Sequence, residues 1–321
     1  MSEKTSVLVT GANGFVGSAV VSKLNETEGK QCVGAIRDAL TAESSTGNYV
    51  SVGDINGRTD WGSALSAVDT VVHTAAVTYG GGQIGEEQQS VLAEVNVEGA
   101  LALARQAAEH GVRRFIFLSS VKVHGEASSP GKPFSVADAE NPQDAYAASK
   151  WQAEQGLREI ARHSLMDVVV IRPPLIYGPG VKGNFASLIK VVGKGIPVPF
   201  GAIQNSRSLV SVENLVDLIV RCIDHPAAAN NTFLVSDDED VSTPELLRKL
   251  GDAMGVRLRL VAVPPRLLLW GLGLLGKRDA GQRLLSSLQV DIADTVSLLD
   301  WEPSVSLQQG LKACVRSWRD E

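Results

Sequence analysis

Short apolar runs alternate with longer stretches in which apolar positions recur every three or four residues. The runs are SVLVT (6–10), CVGAIR (32–37), YVSV (49–52), TVVHTAA (70–76), RFIFLSS (114–120) and DVVVIRP (167–173). Most are apolar at consecutive positions, so neither face suits water. Strands of that kind belong in a parallel sheet covered on both sides. FVGSAVVSKL and residues 87–109 and 143–163 carry helical spacing between the runs. Such alternation predicts right-handed βαβ units, and hence an α/β fold with a doubly wound parallel sheet of Rossmann type.

Past Pro173 the texture changes. RPPLIYGPGVKGNF (172–185) and GKGIPVPFGAI (193–203) are rich in proline and glycine and read as loops. SLVSVENLVDLIVRCI (208–223) reads as a returning strand and helix. After Asp237 helical patterns dominate: TPELLRKLG, PPRLLLWGLG, DIADTVSLLDW and SLQQGLKACVRSW. The expected division is a Rossmann domain of residues 1–175 and 208–236, with a smaller, mostly helical domain of 176–207 and 237–321. LLLWGLGLLG (267–276) is about half the length that spans a bilayer. Flanked by Arg266, Lys277 and Arg278, it reads either as a helix packed on the small domain or as an interfacial helix.

Composition narrows the function. A net charge of −6 argues against nucleic-acid binding, and any anionic ligand must be met by local cations. Cys32, Cys222 and Cys314 are far apart, with no disulfide framework and no metal-ligand spacing to the histidines. No metal site is expected. MSEKTSVLVTG enters a strand at once, without a visible signal peptide. The expected compartment is the cytoplasm.

Thr10–Gly17 spells TGANGFVG between the first strand and the first helix. In that place Gly11 permits a tight turn, Gly14 lets the backbone approach a pyrophosphate, and Gly17 lets the helix pack close. The helix N-terminus offers unpaired N–H groups to the anion. Asn13, Phe15 and Val16 surround the turn. A carboxylate for a ribose 2′-hydroxyl would fall near Ile36, but the cation Arg37 stands at that strand end. A forked guanidinium suits a 2′-phosphate, so NADP(H) is expected in preference to NAD(H). The alternative is a solvated Arg37 with Asp38 taking the hydroxyls. Asp54, with Ile55 beside it, is placed for the adenine end.

Tyr146-Ala147-Ala148-Ser149-Lys150 is YxxxK. Residues four apart on a helix share a face. An ammonium near a phenol favours the phenolate and lowers its pKa. RFIFLSS places Ser119 and Ser120 where a parallel strand meets the crevice, and Ser120 is the one expected to reach a reacting oxygen.

TGANGFVG, VVHTAA, FLSSVKVHG, YAASK and RPPLIYGPG, in that order along nearly the whole chain, resemble the extended branch of the short-chain dehydrogenase/reductases. The resemblance implies Ser120, Tyr146 and Lys150 as the catalytic set. It implies nicotinamide contacts at Pro173, Leu175 and Ile176, and backbone contacts at Thr74, Ala75 and Ala76. Asn96 matches a family asparagine of structural effect. His73 is read as a satisfied buried histidine. The usual VYG is here VHG, with His124 for tyrosine and Lys122 close by; neither receives a role.

The second half resembles members that bind nucleotide diphosphate sugars. Asn184 and Phe185 match a stretch lining such sites. Pro199 and Phe200, in PVPFG, match a uracil loop. Arg207 and Arg283 match a diphosphate clamp. The finer pattern resembles bacterial NADPH-dependent 4-reductases of UDP-4-keto-6-deoxy-N-acetylhexosamines, which serve surface polysaccharide. An NAD-dependent UDP-hexose 4-epimerase is the alternative, and a non-catalytic NADP(H) sensor a third. The implied partners are a UDP-sugar and a second copy, paired through helices 87–109 and 143–163. Residues 78–87 read as a cover for the sugar or as a plain connection.

Overall fold

The six apolar runs become six strands: β1 (Thr5–Thr10), β2 (Lys30–Ile36), β3 (Tyr49–Ser51), β4 (Thr70–His73), β5 (Arg114–Leu118) and β6 (Asp167–Arg172). Three strands as short as β3 follow, β7 (Leu175–Tyr177), β8 (Leu209–Ser211) and β9 (Thr232–Leu234). The computed structural model describes residues 4–38, 48–79, 84–129, 131–274 and 278–320. Seven strands form one sheet in the order β3-β2-β1-β4-β5-β6-β9, every neighbouring pair parallel. The chain runs outward from β1 to β3, then returns to β4 on the other side. That reversal opens a crevice at the carboxyl ends of β1 and β4, where Thr10 pairs with His73.

Alternate side chains of each strand enter different cores. Val7 and Val9 pack with helix α1 (Phe15–Glu26) on one face, while Leu8 joins the cluster on the other. On that second face the helical stretch expected at 87–109 is not uniform. It comprises α2 (Glu86–Leu92), a π-helical segment (Ala93–Gly99) and α3 (Ala100–Glu109). It packs beside α4 (Ala145–Arg162).

Two expectations change past Pro173. LIY, read as part of a loop, is β7, and it pairs in parallel with β8. Asn184 and Phe185 fall within α5 (Gly183–Gly193). The β-branched and aromatic side chains of β7 outweigh the flanking prolines and glycines. The expected return helix is α6 (Val212–Asp224), which packs with α1. The helical C-terminal region contains α7 (Thr243–Met254), α8 (Pro265–Leu274), α9 (Arg278–Leu285), α10 (Ala293–Leu299) and α11 (Leu307–Asp320). Helix α7 starts with a capping box between Ser242 and Glu245 and ends at left-handed Gly255. Tyr177, Phe185, Ile189, Leu247 and Leu311 share a further apolar cluster there. Among the described residues no helix is long and apolar enough to cross a membrane. Of residues 78–87, read as a cover for the sugar or as a plain connection, 80–83 lie outside the described residues.

Candidate active site

The turn between β1 and α1 is shaped by its glycines. Gly11 has φ of +66°, a conformation side chains resist. Its carbonyl accepts the Gly14 N–H at 2.8 Å. A Cβ on Gly17 would stand 2.1 Å from the Gly11 carbonyl oxygen and 2.8 Å from Thr74 Oγ1. Gly17→Ala should therefore displace backbone and cost about 1–3 kcal/mol. The readouts are a lower thermal-unfolding midpoint and dinucleotide binding weakened about tenfold or more. Unchanged melting and binding would show that the turn yields freely.

Helix α1 begins at Gly14 with no side-chain cap and no carboxylate in its first turn. Its leading N–H groups and positive end fit a pyrophosphate. The cleft above encloses about 1000 Å³, at the upper end of small-molecule sites. Every residue expected to touch the cofactor lines it except Leu175. Leu175 is an exposed β7 side chain, and its neighbours Pro174 and Ile176 take the cleft side. Adjacent strand residues point to opposite faces, which corrects that assignment. The other residues fit a nicotinamide dinucleotide.

Arg37 stands at the cleft mouth, and its Nε pairs with Asp54 Oδ1 at 3.0 Å. Both side chains are exposed. The site expected for a 2′-phosphate thus holds a solvated ion pair rather than a lone cation, and an incoming phosphate competes with Asp54.

His73 accepts or donates to Thr10 Oγ1 through Nδ1 at 2.8 Å and stacks on Phe117. It is only half satisfied, because Nε2 has no partner among the described residues. Burial, assisted by the Lys150 charge, pulls its pKa down to about 3, so the ring is neutral.

The start of α4 is fixed by Asp144, whose carboxylate accepts the Ala147 N–H at 2.7 Å. Lys122 grips the same carboxylate at 2.6 Å, which gives this lysine a positioning role the sequence did not reveal. Tyr146 and Lys150 follow one turn apart, and both line the cleft. Lys150 is buried, donates to the Leu118 carbonyl at 2.9 Å and lies over the Phe117 ring. Burial lowers its pKa to about 7, against an opposing pull from Glu154. Tyr146 goes the other way: burial, then the Asp144 charge, push its phenol up to about 12. The expected lowering by Lys150 is not met: desolvation, then the Asp144 charge, set the direction, while the Lys150 ammonium is turned to the Leu118 carbonyl. At neutral pH Tyr146 is a proton donor. Ser120 lines the cleft, its Oγ accepting the Lys122 N–H at 3.3 Å. The Ser119 hydroxyl donates instead to Glu154 at 2.5 Å.

Behind Lys150 lies a charged network. Glu154 and Arg172 are fully buried and bound twice, at 3.0 and 2.6 Å. Arg172 also meets Glu140 at 3.0 Å and His124 Nε2 at 2.7 Å. Burial, then the Arg172 charge, lower the His124 pKa. The histidine that replaces tyrosine in VHG therefore accepts from Arg172 as a neutral ring. Sequence reasoning missed Asp144, Glu154 and Arg172. Glu154, four residues after Lys150 on an inward helix face, was the available signal. Asn96, in the π-helical segment, clasps Val77 through both its N–H and its carbonyl, and donates to Ser149 Oγ at 3.1 Å. It ties the cleft wall to α4.

Of the residues expected to meet a diphosphate, Arg207 donates through Nη1 to the carbonyls of Arg283 and Ser286 at 2.6 and 3.0 Å. Burial, then the nearby Arg283 charge, lower its pKa. A diphosphate would relieve that crowding of like charge. Asn184 is exposed, as is Pro199, and Phe200 packs beside the C-terminal apolar cluster. Phe185 is buried against Tyr177. It is a core side chain rather than a substrate contact, because its helix position faces inward.

A Rossmann sheet, a glycine turn at its switch point and a YxxxK helix beside the crevice define an enzyme that works with a nicotinamide dinucleotide. Residues 7–236 match the NAD dependent epimerase/dehydratase family, and the chain belongs to it. The chain is 46% identical over 318 residues to UDP-glucose 4-epimerase of Vibrio cholerae, covering 98% of this chain and 95% of that one. Its fold is similar to UDP-glucuronic acid 4-epimerase from Bacillus cereus in complex with NAD, with a TM-score of 0.79 at 20% identity, covering 98% and 99% of the two chains. It is also similar to RMD from Pseudomonas aeruginosa complexed with NADPH, with a TM-score of 0.73 at 21% identity, covering 99% and 100%.

Proposed function

We propose that the chain is a UDP-hexose 4-epimerase. The observation that carries this reading is its identity to the Vibrio cholerae epimerase along nearly its whole length. The sequence alone put a UDP-4-keto-6-deoxy-N-acetylhexosamine 4-reductase first; the identity reverses that order. Arg37 at the end of β2 favours the reductase as the second reading. The same proposal divides the chain into a Rossmann unit (1–175 and 208–236) and a sugar-nucleotide unit (176–207 and 237–321). It takes the active form as a homodimer through the α2–α3 and α4 helices, which sedimentation at monomer mass would exclude.

A nicotinamide dinucleotide held by the glycine turn, Thr74–Ala76, Lys150, Pro173 and Ile176 would supply a place for hydride to leave and return. The residues of the chain move the proton. When the sugar 4-hydroxyl is oxidised, Tyr146 as phenolate takes its proton; when hydride returns, the phenol so formed gives that proton back to the 4-oxygen as charge develops there. Ser120 steadies the same oxygen with its hydroxyl. Lys150 balances the phenolate left behind. Arg207 and Arg283 hold the diphosphate at the far end of the substrate.

Two incubations separate the readings. With UDP-glucose and no added nucleotide, epimerisation should yield UDP-galactose, detected by NMR, with no net change in nicotinamide absorbance. With the 4-keto sugar and NADPH, stoichiometric loss of absorbance without that epimerisation would favour the reductase and overturn the main reading. Arg37→Asp tests the cofactor. Preference should move toward NAD(H) by about tenfold or more, the worth of a charge-assisted hydrogen bond. An unmoved ratio would remove Arg37 from cofactor choice.

A further inference from the structure

Helix α8 presents an apolar face to solvent. Leu267, Trp270 and Leu274 are 59%, 68% and 70% exposed. Their spacing of three and four residues puts them on one side. The other side anchors the helix: Leu268 is buried, and Leu269 and Leu272 lie against Gly281 of α9. The segment entering α8 runs beside residues 198–201, with Val198 bonded to Arg259 and Val261. It adds exposed Val261, and Ile196 is exposed just before the paired stretch.

Charge singles out the occupant. Residues 253–278 contain Arg257, Arg259, Arg266, Lys277 and Arg278 and no Asp or Glu, in a chain of net charge −6. Arg257, Arg259 and Arg266 are exposed. Exposed leucines around a tryptophan, bordered by cations, match the boundary between anionic headgroups and acyl chains. A second copy facing this surface would set the cations of both copies against each other. At ten residues, α8 is about 15 Å long and lies along a bilayer rather than through it.

We propose that the α8 face seats this protein on an anionic membrane surface. Docking brings the sugar-nucleotide end near the headgroups, because α9, packed on α8, carries the Arg283 carbonyl that Arg207 binds. The proposal is independent of which 4-position chemistry the cleft performs.

Flotation of the intact protein with vesicles is the test. Binding to phosphatidylglycerol-containing vesicles should exceed binding to pure phosphatidylcholine about tenfold or more. It should fall steeply in about 0.5 M NaCl. Trp270→Glu combined with Leu274→Glu should cut it about tenfold or more while leaving melting and turnover unchanged, since both side chains are exposed. Arg257→Gln with Arg259→Gln should weaken anionic binding alone. The proposal is overturned by absent binding at low salt, or by equal binding of the glutamate variant. A glutamate variant that sediments at half the wild-type mass would also overturn it, giving the face to a second copy.

Discussion

Tyr146→Phe lowers turnover by about 10²–10⁴-fold, the usual worth of a positioned acid–base, while leaving dinucleotide and UDP-sugar affinity nearly unchanged. The substitution keeps the ring and removes only the proton donor. Single-turnover measurements check it, because they separate chemistry from binding and release. The direction of the pKa values sets the pH profile. A phenol held up at about 12 stays protonated through neutral pH. Lys150, pulled to about 7, sheds its charge as pH rises through that value. The phenolate formed by proton donation then loses its counter-ion, so turnover declines on the alkaline side. A phenylalanine variant with wild-type turnover would show that another group carries the proton.

Arg172→Leu destabilises the fold by about 3–5 kcal/mol, the penalty for breaking a buried ion pair from one side. Its partner Glu154 is fully buried and would keep only the Ser119 hydroxyl and the more distant Arg158, at 3.3 Å. For a domain of this size the thermal midpoint should drop by roughly 10 °C. The double variant Glu154→Leu with Arg172→Leu should recover much of that loss, because no unpaired charge remains inside. A single variant costing under about 1 kcal/mol would show that water or Arg158 already serves Glu154. The network also bears on chemistry, since the Glu154 charge is what opposes the loss of the Lys150 proton.

Much of this architecture could be read from residue order. Consecutive apolar positions announced β1, β2, β4, β5 and β6, because only strands buried on both faces tolerate them. The glycine turn and YxxxK were visible because their geometry depends on neighbours in sequence. What escaped depends on partners far along the chain. β9 is three residues whose pairing with β6 is not local. Arg172 reads as a strand-end arginine until Glu140, His124 and Glu154 surround it. Arg37 reads as an available cation until Asp54 takes it. Phe185 shows the converse: its motif placed it in a sugar site, while its position on α5 turned it into the core. The direction of the Tyr146 shift was hidden for the same reason, since desolvation is a property of the packed crevice.

The segment from Ala93 to Gly99 closes hydrogen-bonded turns one residue wider than its neighbours. That surplus residue works as a shim: it sets the rotational phase at which Asn96 meets Val77 and Ser149. Excising one residue there would give a tidier spiral and a better-matched ladder of amides. It would also swing the asparagine out of reach and unlatch the cleft wall from the helix that bears the phenol. In this stretch regularity and alignment cannot both be had, and the chain holds to alignment.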